Sequence, residues 1–116
     1  MDIFTISYYI PGTLAANHVL EFVAPFDCQL IHAQAHQSND GSATLKIGTS
    51  SDDDAYLAES AIGDSNVPAE WDRDNFVGTQ FPHIADGTVV VLTLDYDGAA
   101  GTAAQNAQIL LTLTQG

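Results

Sequence analysis

The chain has 116 residues, 46% of them hydrophobic, and its 15 acidic and two basic side chains give a formal net charge of -13 at pH 7. This length fits one domain, residues 1–116, with a substantial core, and the apolar content separates the chain from disordered acidic segments. Because Lys46 and Arg73 cannot neutralise a row of phosphates, we expect no direct binding to nucleic acid or to membranes.

The single cysteine, Cys28, permits no intrachain disulfide, so the fold does not depend on an oxidising compartment. The N-terminal stretch MDIFTISYYIPG lacks the basic start and long apolar run of a signal peptide. No apolar run reaches the roughly 18 residues of a membrane helix. The sequence therefore predicts a soluble, unprocessed protein, and assembly inside a cell is permitted.

Alternation of apolar and polar residues begins at the N-terminus and predicts β-strands, whose successive side chains face opposite sides of a sheet. In IFTISYYI, one face carries Phe4, Ile6, Tyr8 and Ile10, and Pro11-Gly12 follows. In HVLEFVA, Leu20 and Phe22 oppose Glu21, and Pro25 stops the run.

The middle of the chain predicts a hairpin followed by an irregular excursion. CQLIHAQAHQ places Ile31, Ala33 and Ala35 on one face, and ATLKIG buries Ala43, Leu45 and Ile47. The turn Asn39-Asp40-Gly41 between them favours a hairpin. Residues 50–68 are irregular, with one helical turn expected at 55–61, and NFVGTQF at 75–81 predicts a further short strand.

Two long apolar strands close the chain. TVVVLTLDYD aligns Val90, Leu92, Leu94 and Tyr96, while AQILLTLT aligns Ala107, Ile109, Leu111 and Leu113. The Gly/Ala-rich loop 98–105 predicts a looser hairpin between them. Seven to eight short antiparallel strands without long helices favour an all-β fold, a β-sandwich of jelly-roll type. An immunoglobulin-like sandwich is the alternative, although it lacks paired cysteines here.

Histidine and cysteine spacing argues against a metal or thiolate centre within one strand. His32 and His36 stand roughly 13 Å apart along a strand, which is too far for two ligands of one metal, and Cys28 is equally far from His32. We therefore interpret Cys28 as a structural residue. His18 and His83 could approach either group only through the fold.

The acidic clusters match no calcium-loop template. TLDYDG at 93–98 has Ala104 where an EF-hand requires Glu, and Asp52-Asp53-Asp54 has Gly63 at the same offset. Three adjacent carboxylates on an extended backbone cannot all face one ion. We interpret both clusters as charged turns and predict no metal and no cofactor.

The segment EWDRDNF carries two alternatives. Trp71 could cover the core beside an ion-paired corner, with Arg73 held by Asp72 and Asp74, or it could anchor a subunit interface together with Arg73. No glycine-rich phosphate loop, nucleophile elbow or cleft-forming insertion accompanies the carboxylates. We therefore predict that the protein has no catalytic residues and is not an enzyme; a small metal-dependent cupin would need His and Glu ligands that converge in the fold.

Residues 23–57, VAPFDCQLIHAQAHQSNDGSATLKIGTSSDDDAYL, and residues 72–116, which include DGTVVVLTLDYDG, resemble small virion proteins of tailed bacteriophages, in particular head-decoration (cement) proteins. The resemblance implies a jelly-roll subunit on the capsid exterior, made in the host cytoplasm. It further implies a homotrimer that clamps the major capsid protein after head expansion. The interface candidates are Tyr8, Tyr9, Trp71, Arg73, Phe76 and Phe81. An apolar N-terminal strand that could reach a neighbour agrees with this hypothesis.

A binding module of a tail fibre, which recognises a carbohydrate or a receptor, is the alternative function. A jelly roll with Trp71 and Tyr56 exposed on one face would suit it. The virion hypothesis places aromatic side chains at a subunit interface, whereas the binding-module hypothesis requires them on one accessible face.

Overall fold

The chain forms nine β-strands arranged in two sheets, in a computed structural model that describes residues 2–116. The strands are β1 (Ile3–Thr13), β2 (His18–Val23), β3 (Cys28–His36), β4 (Thr44–Thr49), β5 (Leu57–Ala61), β6 (Ala69–Trp71), β7 (His83–Ile84), β8 (Val89–Asp95) and β9 (Gln105–Gln115).

Sheet A has the strand order β1-β9-β3-β6, with β7 also paired to β3, and sheet B has the order β2-β8-β4-β5. All of these pairings are antiparallel. Since β6 and β7 pair with opposite ends of β3, they act as one interrupted edge strand, and the order is that of a jelly roll. The predicted fold class is confirmed, with nine strands in place of seven to eight.

The core lies between the sheets and consists of the side chains that alternate inward. Its fully buried members include Leu30, Leu45, Ile47, Leu92, Leu94, Ile109, Leu111 and Leu113. The predicted inward faces of β4, β8 and β9 are therefore confirmed. In β3 the register shifts between Leu30 and His32, so Leu30 is buried and Ile31 is only partly buried, contrary to the prediction for Ile31.

Both predicted hairpins are wrong, because each connection crosses from one sheet to the other. Asn39-Asp40-Gly41 leads from β3 in sheet A to β4 in sheet B, and 98–105 leads from β8 in sheet B to β9 in sheet A. The Asn39 amide joins the two crossovers: its Nδ2 donates to the Ala103 carbonyl at 2.9 Å, and its Oδ1 accepts from the Gln105 N–H at 3.0 Å. Through Asn39, the residues of the predicted turn therefore bind one crossover loop to the other.

Two further predictions of secondary structure are wrong. The expected helical turn at 55–61 contains strand β5, because pairing with β4 overrides the helical preference of Ala, Leu and Glu. The expected strand at 75–81 is a series of turns inside the loop 72–82, where Phe76 enters the core and Gly78 and Thr79 have positive φ.

Candidate interaction surfaces

The Asp-rich turn, residues 49–56, folds back against sheet B. The Thr49 N–H donates to the Asp52 carbonyl at 2.7 Å, and the Tyr56 N–H donates to the Ile47 carbonyl at 2.9 Å. A side chain at Gly48 would overlap the backbone of Asp52 and Asp53, so this close approach requires glycine. Leu57 is buried directly after the turn. The interpretation of this segment as a charged turn that returns the chain to the sandwich is confirmed.

The three carboxylates of the Asp-rich turn are exposed and lie within 4.8 Å of one another. The premise that they cannot converge is wrong, because the backbone is a turn and not an extended strand. Lys46 Nζ lies 3.2 Å from Asp53 Oδ2, and this hydrogen bond and ion pair raise the pKa of Lys46. A hydrogen bond with Asp52, followed by the negative charge of that neighbour, raises the pKa of Asp54. That the protein binds no metal stays a prediction.

The corner at Trp71 divides into a buried and an exposed part. Trp71 and Phe76 are buried in the core, only 6% and 3% exposed, so the expectation of an exposed Trp71 is wrong. Arg73 is exposed, and its Nε lies 3.9 Å from Asp74 Oδ1. Asp72 does not hold Arg73; its Oδ1 accepts the Asp74 backbone N–H at 3.0 Å. The core thus takes up both rings, whereas Phe81 and Arg73 remain at the surface.

The histidines and the cysteine occupy separate places. His32 and His36 lie on the outer face of sheet A, where His32 Nε2 is 3.2 Å from Glu70 Oε1 on the neighbouring strand β6. Cys28 is fully buried, and burial together with the adjacent Asp27 raises the pKa of its thiol. A buried thiol is a poor nucleophile. The burial of Cys28 agrees with its interpretation as a structural residue, and the absence of a catalytic role stays a prediction.

One side of the sandwich, the closed side, is sealed by the segments that leave the edge strands β5 and β6. Gly63 exchanges backbone hydrogen bonds of 3.0 Å with Ala35 and Gln37 of the sheet A side, and Val77 donates to the Tyr56 carbonyl at 2.9 Å. Under these segments lie the buried side chains Leu57, Ile62, Trp71 and Phe76. The closed side therefore excludes water with the chain's own residues.

The opposite side, the open side, is bordered by the edge strands β1 and β2. Within Ile3–Thr13 and His18–Val23 no side chain is fully buried. The inward-facing apolar residues are only partly covered by the core: Phe4, Ile6, Tyr8, Ile10, Leu20 and Phe22. Tyr8 spans the gap, with its hydroxyl 3.4 Å from the Glu21 carbonyl, and partial burial raises the pKa of its phenol.

The outward-facing residues of β1 and β2 add apolar surface to the open side. Ile3, Tyr9, Val19 and Val23 are 67%, 60%, 59% and 58% exposed. The interface prediction for Tyr8 and Tyr9 thus falls on side chains that are accessible. Ile3, Val19 and Val23 were missed, although a signal exists in the sequence for the first two: no Asp, Glu, Lys or Arg occurs from Ile3 to Leu20. Val23 lies beyond this run, after Glu21.

The surface of residues 2–116 contains no detectable pocket. In the same residues no helix has the length and apolarity needed to cross a membrane. The open side, the Asp-rich turn and the outer face of sheet A are the candidate interaction surfaces described above.

Comparison with known proteins identifies the fold and no family. Neither a family model nor a curated protein matches the sequence. Among solved structures, a chain of the capsid asymmetric unit of cyanophage Pam1 is similar over 99% of this chain and 84% of that chain, with a TM-score of 0.61 and 13% identity. At this identity the likeness supports a common fold.

Two further solved structures are similar to this chain with lower TM-scores. The pre-peptidase C-terminal domain of a Bacillus anthracis collagenase aligns over 96% of this chain and 88% of that chain, with a TM-score of 0.47 and 14% identity. A chain in the structure of infectious bursal disease virus aligns over 99% of this chain and 32% of that chain, with a TM-score of 0.34 and 14% identity.

Proposed function

We propose that this chain is a structural protein of a tailed-bacteriophage virion, which binds the exterior of the expanded head as an oligomer and stabilises it. The expected oligomer is a homotrimer, and the expected partner is the major capsid protein. The supporting observation is that nearly the whole jelly roll is similar to a chain found in a cyanophage capsid asymmetric unit. The expected place of synthesis is the host cytoplasm.

The proposed activity is stabilisation by mass action. A protein that binds the expanded lattice and not its disassembled subunits adds RT ln(1 + [L]/Kd) per site, about 2.7 kcal/mol at a concentration of 100 Kd. Many such sites on one head would oppose the internal pressure of the packaged DNA. Under this proposal the protein uses binding alone, as a non-enzyme without a cofactor.

The alternative of a carbohydrate- or receptor-binding module loses the feature that suggested it. An aromatic binding platform needs exposed rings, but Trp71 is buried in the core and Tyr56 is partly buried against the core. We therefore put forward the capsid function alone.

The test uses heads of the phage that encodes this chain, purified without it, in expanded and unexpanded forms. We expect saturable co-sedimentation with expanded heads, little binding to unexpanded heads, and DNA release at a higher temperature once the protein is bound. Cryo-electron microscopy of the intact virion should place the protein on the head lattice. Location at the tail tip, or no binding to expanded heads, would contradict the proposal.

A further inference from the structure

We propose that copies of this chain associate through the open side, the surface formed by the edge strands β1 and β2. The first observation is incomplete burial, because the inward side chains of both strands are partly accessible while their outward neighbours Ile3, Tyr9, Val19 and Val23 are exposed. Together they form an apolar rim along the unsealed gap between the two sheets, interrupted by Thr5 and Ser7 on β1 and by Glu21 on β2. A group of exposed large apolar side chains of this kind marks a contact surface.

The distribution of charged residues indicates which partner binds the open side. The chain carries a net charge of -13, so two copies repel each other wherever their carboxylates approach. Residues 3–20 carry no Asp, Glu, Lys or Arg, and Glu21, exposed between Val19 and Val23, is the one carboxylate within β1 and β2. A strongly basic partner would instead be attracted to the carboxylate-rich parts, such as the exposed Asp52-Asp53-Asp54. The open side is therefore the surface on which a second, equally acidic copy can approach at the lowest electrostatic cost.

Backbone geometry supports the same occupant. In residues 2–116, β1 pairs with β9 on one edge and presents its other edge to solvent over most of Ile3–Thr13. The stretch Ile3–Ile10 of this edge carries no charged side chain, proline or bulge, whereas Pro11 and the register shift between Ile10 and Thr13 hinder pairing at its far end. An exposed antiparallel edge is also self-complementary, since the same donors and acceptors recur in every copy.

This contact goes beyond the proposed function, which leaves the surface between copies open. A two-fold axis would pair β1 with its own equivalent, whereas a three-fold axis would gather three apolar rims around the symmetry axis. In both arrangements Phe22, Ile6 and their neighbours become fully buried. The ends of the sandwich and the outer face of sheet A around β3 and β6, away from β1, stay free for another partner.

The test compares one substitution at two valines of similar exposure. Val19 lies on the open side and is 59% exposed, and Val67 lies outside it and is 68% exposed. We expect Val19→Asp to weaken self-association at least tenfold, measured by light scattering and sedimentation equilibrium, because a carboxylate would be buried against apolar and like-charged surface. Val67→Asp should keep the wild-type mass. Ser7→Asp, at an exposed position of β1, should act like Val19→Asp.

Thermal unfolding of each variant at low concentration establishes that the sandwich remains folded. A wild-type protein that stays a single chain at all concentrations would overturn the inference. The same holds if folded Val19→Asp and Ser7→Asp variants keep the wild-type assembly. Head binding is measured separately, so an assembly that resists both changes but still binds expanded heads contradicts the open-side contact and not the capsid function.

Discussion

The two sides of the sandwich differ in how the gap between the two sheets is covered. On the closed side, the chain continues past β5 and β6 and covers the gap between the sheets with Ile62, Trp71 and Phe76, all nearly inaccessible. On the open side, β1 and β2 end in short connections, and no side chain within either strand is fully buried. A small domain that leaves half-covered aromatic and aliphatic residues along one edge gives up hydrophobic stabilisation, unless a neighbour covers them.

The difference also extends to charge. The loop 72–82 of the closed side carries Asp72, Arg73 and Asp74 and faces water. The strand β1 of the open side carries no charged side chain. A surface that is meant to stay in water normally holds charged residues, which keep copies apart. Single apolar residues are exposed on the closed side as well, at Val67, Val77 and Phe81, but the inward faces of whole edge strands are half covered on the open side. This comparison agrees with a closed side covered by the chain's own residues and an open side covered by another copy.

The largest expected effect is on the closed side. Replacing Trp71 by Ala should lower the free energy of unfolding by about 3 to 5 kcal/mol, because a large buried ring is removed from the core. Urea unfolding at low protein concentration measures this change. The matched control is Tyr9→Ala on the open side, which should change the stability of the single chain by about 0.5 kcal/mol or less. Equal losses in the two variants would contradict the distinction between the sides.

A second substitution tests the backbone of the closed side. Gly63 lies where the chain passes from sheet B to sheet A, and an added Cβ would overlap the Val67 carbonyl oxygen and the Ala69 nitrogen. We expect Gly63→Ala to cost about 1 to 3 kcal/mol, the usual range for overpacking. Gly12→Ala is a control for added bulk near the open side, because no other part of the chain comes within 4 Å of the added Cβ, although the φ of 76° adds strain. If Gly63→Ala leaves the free energy of unfolding unchanged, the segment that crosses between the sheets can shift to make room for the added Cβ.

A third substitution tests whether the open side becomes covered when the protein concentration is raised. Ile6→Ala should cost about 1 to 2 kcal/mol in the single chain, less than the roughly 2 to 5 kcal/mol of a fully buried isoleucine. The loss should increase at concentrations where copies associate, because Ile6 then becomes covered. Ile109→Ala, on the neighbouring strand β9 and already buried, should cost the same at every concentration. Urea unfolding over a concentration series separates the two outcomes.

The smallest effect is expected at the Asp-rich turn. The pKa of Asp54 is raised above 3.8, so the folded state binds this proton more tightly than the unfolded state. Its contribution is therefore unfavourable at neutral pH and is relieved as the pH falls through the folded pKa. We expect Asp54→Asn to be slightly more stable than the wild type near pH 7 and to lose that advantage at about pH 4. Asp64→Asn, outside the turn, serves as the control in thermal unfolding at both pH values.

Strand positions were predictable from the sequence because the alternation of side chains is local. The inward faces of β8 and β9 follow directly from Val90, Leu92 and Ile109, Leu111. Sheet membership was not predictable in this way, since Asn39-Asp40-Gly41 has the composition of a hairpin turn but joins strands of different sheets. Nothing in a short turn encodes whether its strands pair with each other or with distant partners.

The candidate surfaces were predictable only in part. Tyr8 and Tyr9 are accessible as the interface hypothesis requires, but Trp71 and Phe76 are not, because an aromatic residue beside charged residues can enter the core while its neighbours turn outward. The more informative sequence signal was the uncharged run from Ile3 to Leu20. Its meaning depends on topology, which brings β1 and β2 to the same side of the sandwich.

Hydrogen exchange of backbone amides at low and high protein concentration tests most directly whether another copy completes the open side. The account predicts that amides of β1 and β2 exchange more slowly as the concentration increases. Those of Leu57–Ala61, which also form an edge strand, should keep the same rate. Exchange from β1 and β2 that does not change with concentration, or protection that appears at β5 instead, would contradict it.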